Sequence, residues 1–489
     1  MLSDLEKIRI KKLKKLQKEK INPYPAKVWR THTCQAVKDN FENLEKENQE
    51  VIICGRLKAI RSHGKSAFAN LADESGEIQI YFKEDLLGKN NYKIFSQLID
   101  LGDFIEARGK LMKTKTGEKT VVLNNFRIIS KSLLPLPEKW HGLEDVEIRF
   151  RKRYLDLIAN KEVKEIFNKR SQIIKTIRDF FVEENFIEVE TPTLQTISGG
   201  ANAKPFITHH DALGINLYLS IAPELYLKRL IIGGFEKVFE IAKCFRNEGI
   251  DWSHNPEFIQ VEFYQAYADY HDLMKLTEKF FTYLFEKLRI PRKIKFRNEE
   301  IDFTPPYPRK KFIEAIKEAT GLDLEKIKTK ERIFEEAKEL GLEVKKNWSW
   351  AKIVDEIFKE KVRSKIKDPI FITNHPVELS PLAKKTPDDS RYVERFQLLA
   401  GGLEICNGYS ELNDPLDQEK RFKEQLKLRK AGEEEAQMYD QDFIEAMKYG
   451  MPPTAGEGIG IDRLVMILTG AKNIREVILF PTLKPKNKE

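Results

Sequence analysis

The sequence predicts an α+β protein in which a small β-barrel precedes a larger domain of helices and antiparallel strands. Short segments of alternating apolar and polar residues recur between residues 51 and 130, which is typical of a barrel built from short strands. Two further alternating segments, 238–246 and 258–266, indicate an antiparallel hairpin within a mostly helical remainder. Because 489 residues exceed what one ordinary core holds, we expect two or three domains.

Composition and charge exclude several classes of protein. Charged residues make up 33% of the chain, and no apolar run approaches the length that crosses a bilayer, so we expect no membrane association. The lysine-rich start does not resemble a secretion signal, which predicts a cytoplasmic protein. Its four cysteines, Cys34, Cys54, Cys244 and Cys406, lie far apart, as is typical of reduced thiols. The net charge of +8 favours a polyanionic partner.

Residues 1–30 predict a basic N-terminal helix. Its first 20 residues hold eight Lys or Arg against three acids, and Leu5, Ile8 and Leu16 recur at roughly helical spacing before Pro23. Two interpretations remain open for this helix. It packs on its own domain, or it contacts a phosphate backbone.

Residues 31–132 predict a five-stranded closed barrel of the OB type, read from "VIICGRL", "SAFANLAD", "EIQIYF", "FIEARGKL" and "TVVLNNFRII". Phe68 and Gln79 fall in strands where such barrels stack and hydrogen-bond single-stranded bases, with Arg61 nearby for phosphate. Spacing alone favours the alternative for Phe68, which is a ring in the barrel core. Residues 133–145, with two prolines in "LLPLPEKWHG", indicate a linker.

The remainder, residues 146–489, begins with a long helix and ends with a glycine-rich strand. The apolar face of the helix consists of Ile166, Ile173, Ile174, Ile177, Phe180 and Phe181. Pro192 interrupts the following strand, "FIEVETPTL", and therefore belongs at an edge or an end of a sheet. In "GEGIGIDRLVMIL" three alternate glycines leave one strand face bare, so that a flat ligand could lie against it. Arg463 follows at a helix N-terminus, which favours anions.

The hairpin carries the densest set of functional groups, in and around "CFRNEGIDWSHNPEF". Period-two alternation puts Glu262 and Tyr264 on one face of the second strand, and Glu240 and Arg246 on one face of the first. The hairpin therefore has one apolar face and one face of charged and polar groups. Taken alone, that pattern also describes an ordinary surface hairpin with a solvated outer face.

The helix with its Pro192 strand, "FRNEG" followed by "HNPEF", and "GIGIDR" resemble the three motifs of class II aminoacyl-tRNA synthetases. The resemblance covers nearly the whole chain and implies a catalytic domain built on an antiparallel sheet flanked by helices. The preceding barrel is similar to the anticodon-binding domain of the aspartyl, asparaginyl and lysyl enzymes. Because Glu224, Glu262 and Glu411 would repel an aspartate, and "APELYLKR", "SGGANAKPFITHH" and "EICNGYSELNDP" resemble lysyl-tRNA synthetases of the bacterial type, the lysyl family fits best.

This resemblance implies activation of L-lysine by ATP to lysyl-adenylate and transfer to the 3′-terminal adenosine of tRNA-Lys, in a homodimer that uses about two or three Mg²⁺ ions with ATP. The residues implied for lysine are Gly200, Glu224, Glu262, Tyr264, Asn407, Tyr409 and Glu411. Those implied for ATP are Arg246, Glu248, His254, Asn255, Phe258, Glu404 and Arg463, of which Arg246 and Arg463 would be catalytic. Those implied for the anticodon are Arg61, Phe68, Gln79 and Glu118.

Two details depart from a simple carry-over of these roles. Glu404 and Asn407 would point to opposite faces of an ideal strand, so we expect a bulge before Gly408, where glycine tolerates unusual backbone angles. Glu404 is implied as a Mg²⁺ ligand, but Gln397 stands where lysyl enzymes usually carry a second metal-binding glutamate. Its carbonyl oxygen can still coordinate Mg²⁺, with one ligand charge fewer. The alternatives are an aspartyl or asparaginyl enzyme, or an inactive relative that only binds RNA.

Overall fold

The computed structural model describes residues 3–136 and 143–485. It divides into two compact units, Met1–Leu143 and Glu144–Glu489. The predicted linker 133–145 and the start of the predicted N-terminal helix lie partly outside the described residues.

The unit Met1–Leu143 is built around a closed barrel with strand order β1-β2-β3-β5-β4, in which only β3 and β5 pair in parallel. Its elements are α1 (Asp4–Lys18), α2 (Cys34–Asp39), α3 (Phe41–Lys46), β1 (Val51–His63), β2 (Ser66–Ala72), β3 (Glu77–Lys83), α4 (Glu84–Leu87), α5 (Lys89–Leu98), β4 (Phe104–Lys113) and β5 (Lys119–Ser130). The alternation that predicted the strands also fills the barrel, because every second residue of β2 and β3 is buried. The predicted OB-type barrel is confirmed.

Helix α1 packs on its own unit mainly through one arginine. Arg9 is 8% exposed and donates hydrogen bonds to the carbonyl oxygens of Leu101, Ser132 and Leu134. Leu16 is fully buried, but Leu5 and Ile8 are 55% and 49% exposed, so the expected apolar stripe is wrong over the first turns. The long arginine side chain satisfies buried carbonyl groups that leucine could not.

The unit Glu144–Glu489 is built on an eight-stranded sheet with helices against it, in the order β14-β15-β16-β17-β18-β11-β10-β6. Its first elements are α6 (Val146–Arg151), α7 (Arg153–Ala159), α8 (Lys161–Glu183), β6 (Ile187–Glu188), β7 (Leu194–Gln195), β8 (Ile207–His210), β9 (Ile215–Leu219), α9 (Glu224–Ile232), β10 (Lys237–Phe245), β11 (Glu257–Ala266), α10 (Tyr270–Leu288), β12 (Lys293–Phe296), β13 (Glu299–Asp302) and β14 (Arg309–Lys311). The remaining elements are α11 (Phe312–Thr320), α12 (Lys330–Glu339), α13 (Trp350–Lys361), β15 (Ile370–Thr373), β16 (Arg395–Ala400), β17 (Leu403–Ser410), α14 (Pro415–Lys430), α15 (Gln441–Lys448), β18 (Thr454–Gly460), α16 (Ile461–Thr469) and α17 (Ile474–Val477).

The predicted antiparallel sheet is confirmed, with the addition that the edge strands β14 and β6 pair in parallel with their neighbours. Helices α8, α10 and α16 contribute to one continuous apolar core beneath it. Ile173, Ile177 and Phe181 of the predicted helix face are at most 2% exposed. The strand predicted for "FIEVETPTL" is shorter than expected, because β6 ends at Glu188 and the backbone leaves the sheet before Pro192.

Residues 312–361 form a helical insertion between β14 and β15. Helices α11, α12 and α13 pack around their own apolar cluster, which includes Phe312, Ile333 and Ile357. The C-terminal end of α13 continues into a single 3₁₀ turn, Arg363–Lys365. This turn brings charged side chains of the insertion toward the central sheet.

Two strand pairs position the functional groups. β10 and β11 form the predicted hairpin, with Glu240 opposite Glu262. In β17 the predicted bulge is confirmed: Leu398 pairs with Cys406 and Leu399 with Glu404, so Ile405 is the extra residue. The reason expected for Gly408 is wrong, because its backbone is not left-handed. A Cβ atom there would instead lie 2.8 Å from the ring of Phe396.

Candidate active site

A cavity of about 480 Å³ lies over the central strands β11, β17 and β18. Most residues predicted for the amino acid, the nucleotide and the metal line it: Gly200, Glu224, Arg246, Glu248, His254, Asn255, Phe258, Glu262, Tyr264, Gln397, Glu404, Asn407, Tyr409 and Arg463. Glu411 is the exception, since it is 1% exposed and lies behind the cavity wall. The size is that of an ordinary small-molecule site.

Glu262 is the acid of β11 that faces this cavity. It is 5% exposed and accepts hydrogen bonds from Tyr264 Oη and Gln260 Nε2, each at 2.7 Å. Burial, and then the nearby charge of Glu224, raises the pKa of Glu262 to about 8. Two donors therefore hold a carboxyl group that burial keeps partly protonated near neutral pH.

Lys228 was not predicted, and it connects two of the three acids. Its ammonium group is 1% exposed, lies 2.6 Å from Glu224 Oε1 and contacts Glu411 directly. Tyr409 Oη also donates to Glu224 Oε1, at 2.5 Å. Although burial alone lowers the pKa of Lys228, Glu224 and Glu411 outweigh it, so that pKa is raised and the lysine stays charged.

The acidic pocket therefore contains its own counter-ion. The group consists of three acids, Glu224, Glu262 and Glu411, and one lysine, Lys228. When all four side chains are ionised, its net charge is two negative charges. Burial raises the pKa of Glu411 as well as that of Glu262. Both carboxyl groups are therefore harder to ionise in this buried group than they would be in water.

Two glycines shape this end of the cavity. Gly200 has a φ of +89°, and a Cβ atom there would lie 2.8 Å from Glu224 Cβ. A Cβ atom at Gly456 would lie 2.2 Å from the ring of Tyr264, so this glycine accommodates the tyrosine rather than a ligand. A Cβ atom at Gly458 or Gly460 would meet its neighbours only at ordinary contact distance, 3.9 Å from Gln260 Oε1 and from Arg463 Cδ respectively.

The nucleotide end is cationic, and its central residue is incompletely bonded. The Arg246 guanidinium lies 4.9 Å from the ring centre of Phe258, and its buried Nε has no hydrogen-bond partner among the described residues. Its Nη2 makes one long contact, 3.5 Å, with the Ile221 carbonyl oxygen. A buried guanidinium with unused donors is suited to an anion.

His254 and Arg463 form a hydrogen-bonded pair in which only the arginine is charged. Arg463 Nη2 lies 2.9 Å from His254 Nε2, and His254 Nδ1 lies 2.7 Å from Asp251 Oδ2. Burial, with Arg463 next, lowers the pKa of His254, so the ring is neutral and carries its proton on Nδ1. Nearby, the buried side-chain oxygen of Asn255 has no partner in the part of the chain that is described. Burial raises the pKa of the Glu248 carboxyl group.

Gln397 does not present its oxygen to the predicted metal position. Its amide nitrogen donates to Glu404 Oε2 at 2.8 Å, and its amide oxygen lies 3.1 Å from Nε2 of the buried His375. In this arrangement Gln397 directs its amide nitrogen, and not its carbonyl oxygen, toward Glu404. The structure therefore does not orient that oxygen for the expected coordination of Mg²⁺. The reason is the buried His375, whose Nε2 engages the Gln397 oxygen in the tautomer that carries the proton on Nε2.

Asn407 faces the cavity as expected, but it already has a cationic partner. Its Oδ1 accepts a hydrogen bond from Arg395 Nε at 2.8 Å, and Arg395 also donates to the carbonyl oxygen of Leu379. The bulge at Ile405 explains why Glu404 and Asn407 both line the cavity.

In the other unit, the predicted anticodon residues lie on the outer face of the barrel. Phe68 alternates with the buried Ala67 and stacks on Tyr81 with ring centres 4.5 Å apart, so the core interpretation of Phe68 is wrong. Arg61 pairs opposite Phe68 in the ladder, while Gln79 bonds Thr120 and Glu118 is exposed beside the β4–β5 turn. Stacked rings with a neighbouring arginine form a surface suited to unpaired bases.

The sequence did not predict roles for Lys228, Tyr81, His375, Arg395 and Arg363. Arg363 also lines the cavity. A signal existed for the first two. Lys228 follows Glu224 by four residues in a helix, and Tyr81 alternates with buried residues of β3. The others depend on segments that meet only in the folded chain.

Within residues 3–136 and 143–485, no helix is long and apolar enough to cross a membrane, and no group of three or more His, Cys, Asp or Glu could by itself hold a metal ion. The family model described as class II tRNA synthetases (D, K and N) matches residues 145–484, and the OB-fold nucleic acid binding domain matches residues 51–129. A lysine–tRNA ligase of Carboxydothermus hydrogenoformans is 51% identical over 99% of this chain and 99% of its own length. Those of Pelotomaculum thermopropionicum and Clostridium novyi are also 51% identical, over 99% and 98% of this chain and 96% and 94% of their own lengths.

Proposed function

The chain belongs to the lysine–tRNA ligases among the class II tRNA synthetases, and from this premise we propose how its cavity carries out the reaction. The protein activates L-lysine with ATP to lysyl-adenylate, releases pyrophosphate and transfers the lysyl group to the 3′-terminal adenosine of tRNA-Lys. The observation that carries the assignment to this cavity is the acidic group around Glu262, which has two negative charges left after Lys228 is counted once its three carboxyl groups are ionised. Lysine brings two ammonium groups, one for each.

The ammonium groups of lysine bind at the two ends of the acidic group. Glu262, with Tyr264 beside it, receives the ε-ammonium, and Glu411 adds its charge through Lys228 from behind the wall. Glu224 and the backbone of Gly200 receive the α-amino group, because the two residues are packed against each other. Tyr409 holds the Glu224 carboxylate in place.

The substrate carboxylate and the phosphates bind to the cationic end. Arg246 contacts both the lysine carboxylate and the α-phosphate, since its donors are unused and Asn407 lies on the same cavity wall. Adenine displaces the guanidinium contact on Phe258 and stacks on the ring. Glu248 and Asn255 help to place the nucleotide, and His254 and Arg463 bind the outer phosphates.

Little covalent help from protein is needed in this reaction. The lysine carboxylate attacks the α-phosphorus, and the bond to pyrophosphate breaks as negative charge accumulates on the phosphate oxygens. Arg246 and Arg463 lower the free energy of this transition state because they are positioned before the charge develops. Water is excluded where the acidic residues are nearly fully buried.

The residues present fit Mg²⁺ that arrives with ATP, with one carboxylate from the chain. Glu404 is half-buried at the cavity wall, and Mg²⁺ is commonly held by one or two carboxylates together with substrate phosphates. When bound, Mg²⁺ neutralises phosphate charge. Gln397 is the less suitable ligand, since its oxygen is engaged by His375. We propose about two or three ions with each ATP, and Glu404 would be the carboxylate of this chain that helps to hold them.

Three further assignments rest on surfaces of the molecule. The outer face with Phe68, Tyr81, Gln79 and Arg61 binds the anticodon. A homodimer is supported by exposed apolar residues near the sheet edge, Val182 and Ile187, which are 56% and 52% exposed. The protein acts in the cytoplasm, where tRNA is charged.

The acidic cavity opposes aspartate or asparagine as substrate, and the positions of Arg246 and Arg463 oppose an inactive RNA-binding relative. ATP–pyrophosphate exchange with each of the twenty amino acids tests this directly. Lysine should support exchange, and aspartate should not. Exchange with aspartate alone would contradict the assignment.

Glu262→Gln tests the ε-ammonium site. The substitution keeps the shape but removes the charge, so lysine affinity should fall by about 2 to 5 kcal/mol while ATP affinity persists. Glu299→Gln, on the exposed hairpin of β12 and β13, is the matched control. An unchanged KM for lysine in Glu262→Gln would place the ε-ammonium elsewhere.

A further inference from the structure

The helical insertion presents three charged residues to the cavity at intervals of four residues. Asp355 and Lys359 lie on α13, and Arg363 begins the 3₁₀ turn that follows. All three line the cavity, although the insertion contains none of the three motifs of the family. Four-residue spacing places side chains on one face of a helix, so this face is directed at the ligand site.

Arg363 differs from Lys359 in having no ion pair within the described residues. Lys359 Nζ lies 2.5 Å from Asp355 Oδ2, which balances its charge. The Arg363 side chain is half-buried and makes no hydrogen bond or ion pair with residues 3–136 or 143–485. An arginine that is partly removed from water and has five unused donors is costly to keep without an anion.

Other cations make the position of Arg363 still less favourable. Arg246 and Arg463 line the same cavity and carry the same charge. Burial comes first among the causes that lower the pKa of Arg463; the charge of Glu404 opposes it, and the charges of Arg363 and Arg246 lower that pKa further. A ligand with several negative charges would stabilise the three mutually repelling guanidinium groups together.

We propose that Arg363 binds the outer phosphates of ATP and the pyrophosphate product, as a cation supplied by the helical insertion. The inference rests on the ATP part of the proposed function and does not depend on which amino acid is activated. Arg246 is placed for the α-phosphate, where the reaction occurs, and His254 with Arg463 contacts the outer phosphates from the sheet side. Arg363 adds a contact from the 3₁₀ turn that follows α13, on the side of the insertion.

Equilibrium binding tests this without requiring the reaction. Calorimetry with the full chain, at saturating Mg²⁺, compares ATP, pyrophosphate and AMP as ligands of Arg363→Met and of the native protein. The affinity for ATP and for pyrophosphate should fall about tenfold to a hundredfold, the range expected for the loss of a charged hydrogen bond. AMP, which lacks the outer phosphates, should bind with unchanged affinity, and Arg363→Lys should recover part of the loss.

Lys365→Met is the matched control, because it removes one positive charge from the same 3₁₀ turn at an exposed position that does not line the cavity. It should leave all three affinities unchanged. Unaltered ATP and pyrophosphate affinity in Arg363→Met would overturn the proposal, and so would an equal loss for AMP, since that would indicate a role in holding the fold. If exchange assays showed that another amino acid is activated, lysine would be wrong as the substrate. The affinities for ATP, pyrophosphate and AMP would still test the role of Arg363.

Discussion

Lysine binding should release a proton from the buried acids of the cavity. Burial, and then the charge of Glu224, raises the pKa of Glu262 to about 8, and the single ammonium of Lys228 is already engaged by Glu224 and Glu411. At pH 7 a group with that pKa is protonated in about nine molecules of ten. A bound ε-ammonium favours the carboxylate, so about 0.9 proton should leave for each lysine bound at pH 7.

The direction of the pH dependence follows from this competition. The pKa of Glu262 is higher in the free protein than in the complex, so protons favour the free protein and lysine affinity falls as pH falls below about 8. Between pH 6 and pH 7 the Kd for lysine should change about tenfold, with both amino groups of lysine charged throughout. The calorimetric enthalpy of lysine binding should differ between phosphate and Tris buffers, because the two buffers take up the released proton with different heats.

A control separates this acid from a second buried carboxyl group. Burial raises the pKa of Glu457 to about 7, but Glu457 bonds Thr277 and points away from Glu262 by strand alternation. Glu457→Gln should therefore leave the proton release intact. A Kd that stays constant from pH 6 to pH 7, with equal enthalpies in the two buffers, would refute the reasoning, because it would mean that Glu262 is ionised before lysine arrives.

Three further substitutions have distinct expected results. Lys228→Met leaves two buried acids without a counter-ion, so calorimetry should detect up to about one additional proton released per lysine bound, whereas an unchanged number would show that Lys228 does not set the charge. Phe68→Ala should weaken tRNA aminoacylation by about 1 to 3 kcal/mol and leave pyrophosphate exchange normal; equal losses in both assays would exclude a role confined to tRNA. Gln397→Glu places a second carboxylate beside Glu404 and should shift the Mg²⁺ activation curve to lower concentration, while Glu404→Gln should nearly abolish exchange. Superimposable Mg²⁺ titrations of the native protein and Gln397→Glu would contradict the metal assignment.

Local patterns predicted the elements of the fold that have a short-range cause. The five barrel strands and the hairpin of β10 and β11 follow from period-two alternation, which is a property of neighbouring residues. The helical face with Ile173 and Phe181 also has a short-range cause, since its apolar residues recur at helical spacing. The strand at Pro192 ended early, because the pairing of an edge depends on its neighbour as well as on its own sequence.

The site was predictable in its members and less so in its electrostatics. Counting acids correctly indicated a cavity for a cation, but Lys228 changes the charge of that cavity, and its contact with Glu411 joins α9 to the segment after β17. Gln397 was assigned by position alone, and its orientation depends on His375, 22 residues away. Charges and amide orientations are decided by tertiary partners, which a single segment does not contain.

The bulge at Ile405 divides β17 into one position that tolerates a change of length and a following stretch that does not. Glu404 and Cys406 pair with Leu399 and Leu398 on either side of the bulge, so deleting Ile405 alone would keep Glu404 and Asn407 on the cavity side. One missing codon at Gly408 would instead turn one end of the paired stretch to the opposite side, whereas a codon change would alter one side chain only. In this stretch, insertions and deletions should be tolerated less well than substitutions. Libraries intended to change amino acid selectivity should therefore vary β17 at constant length.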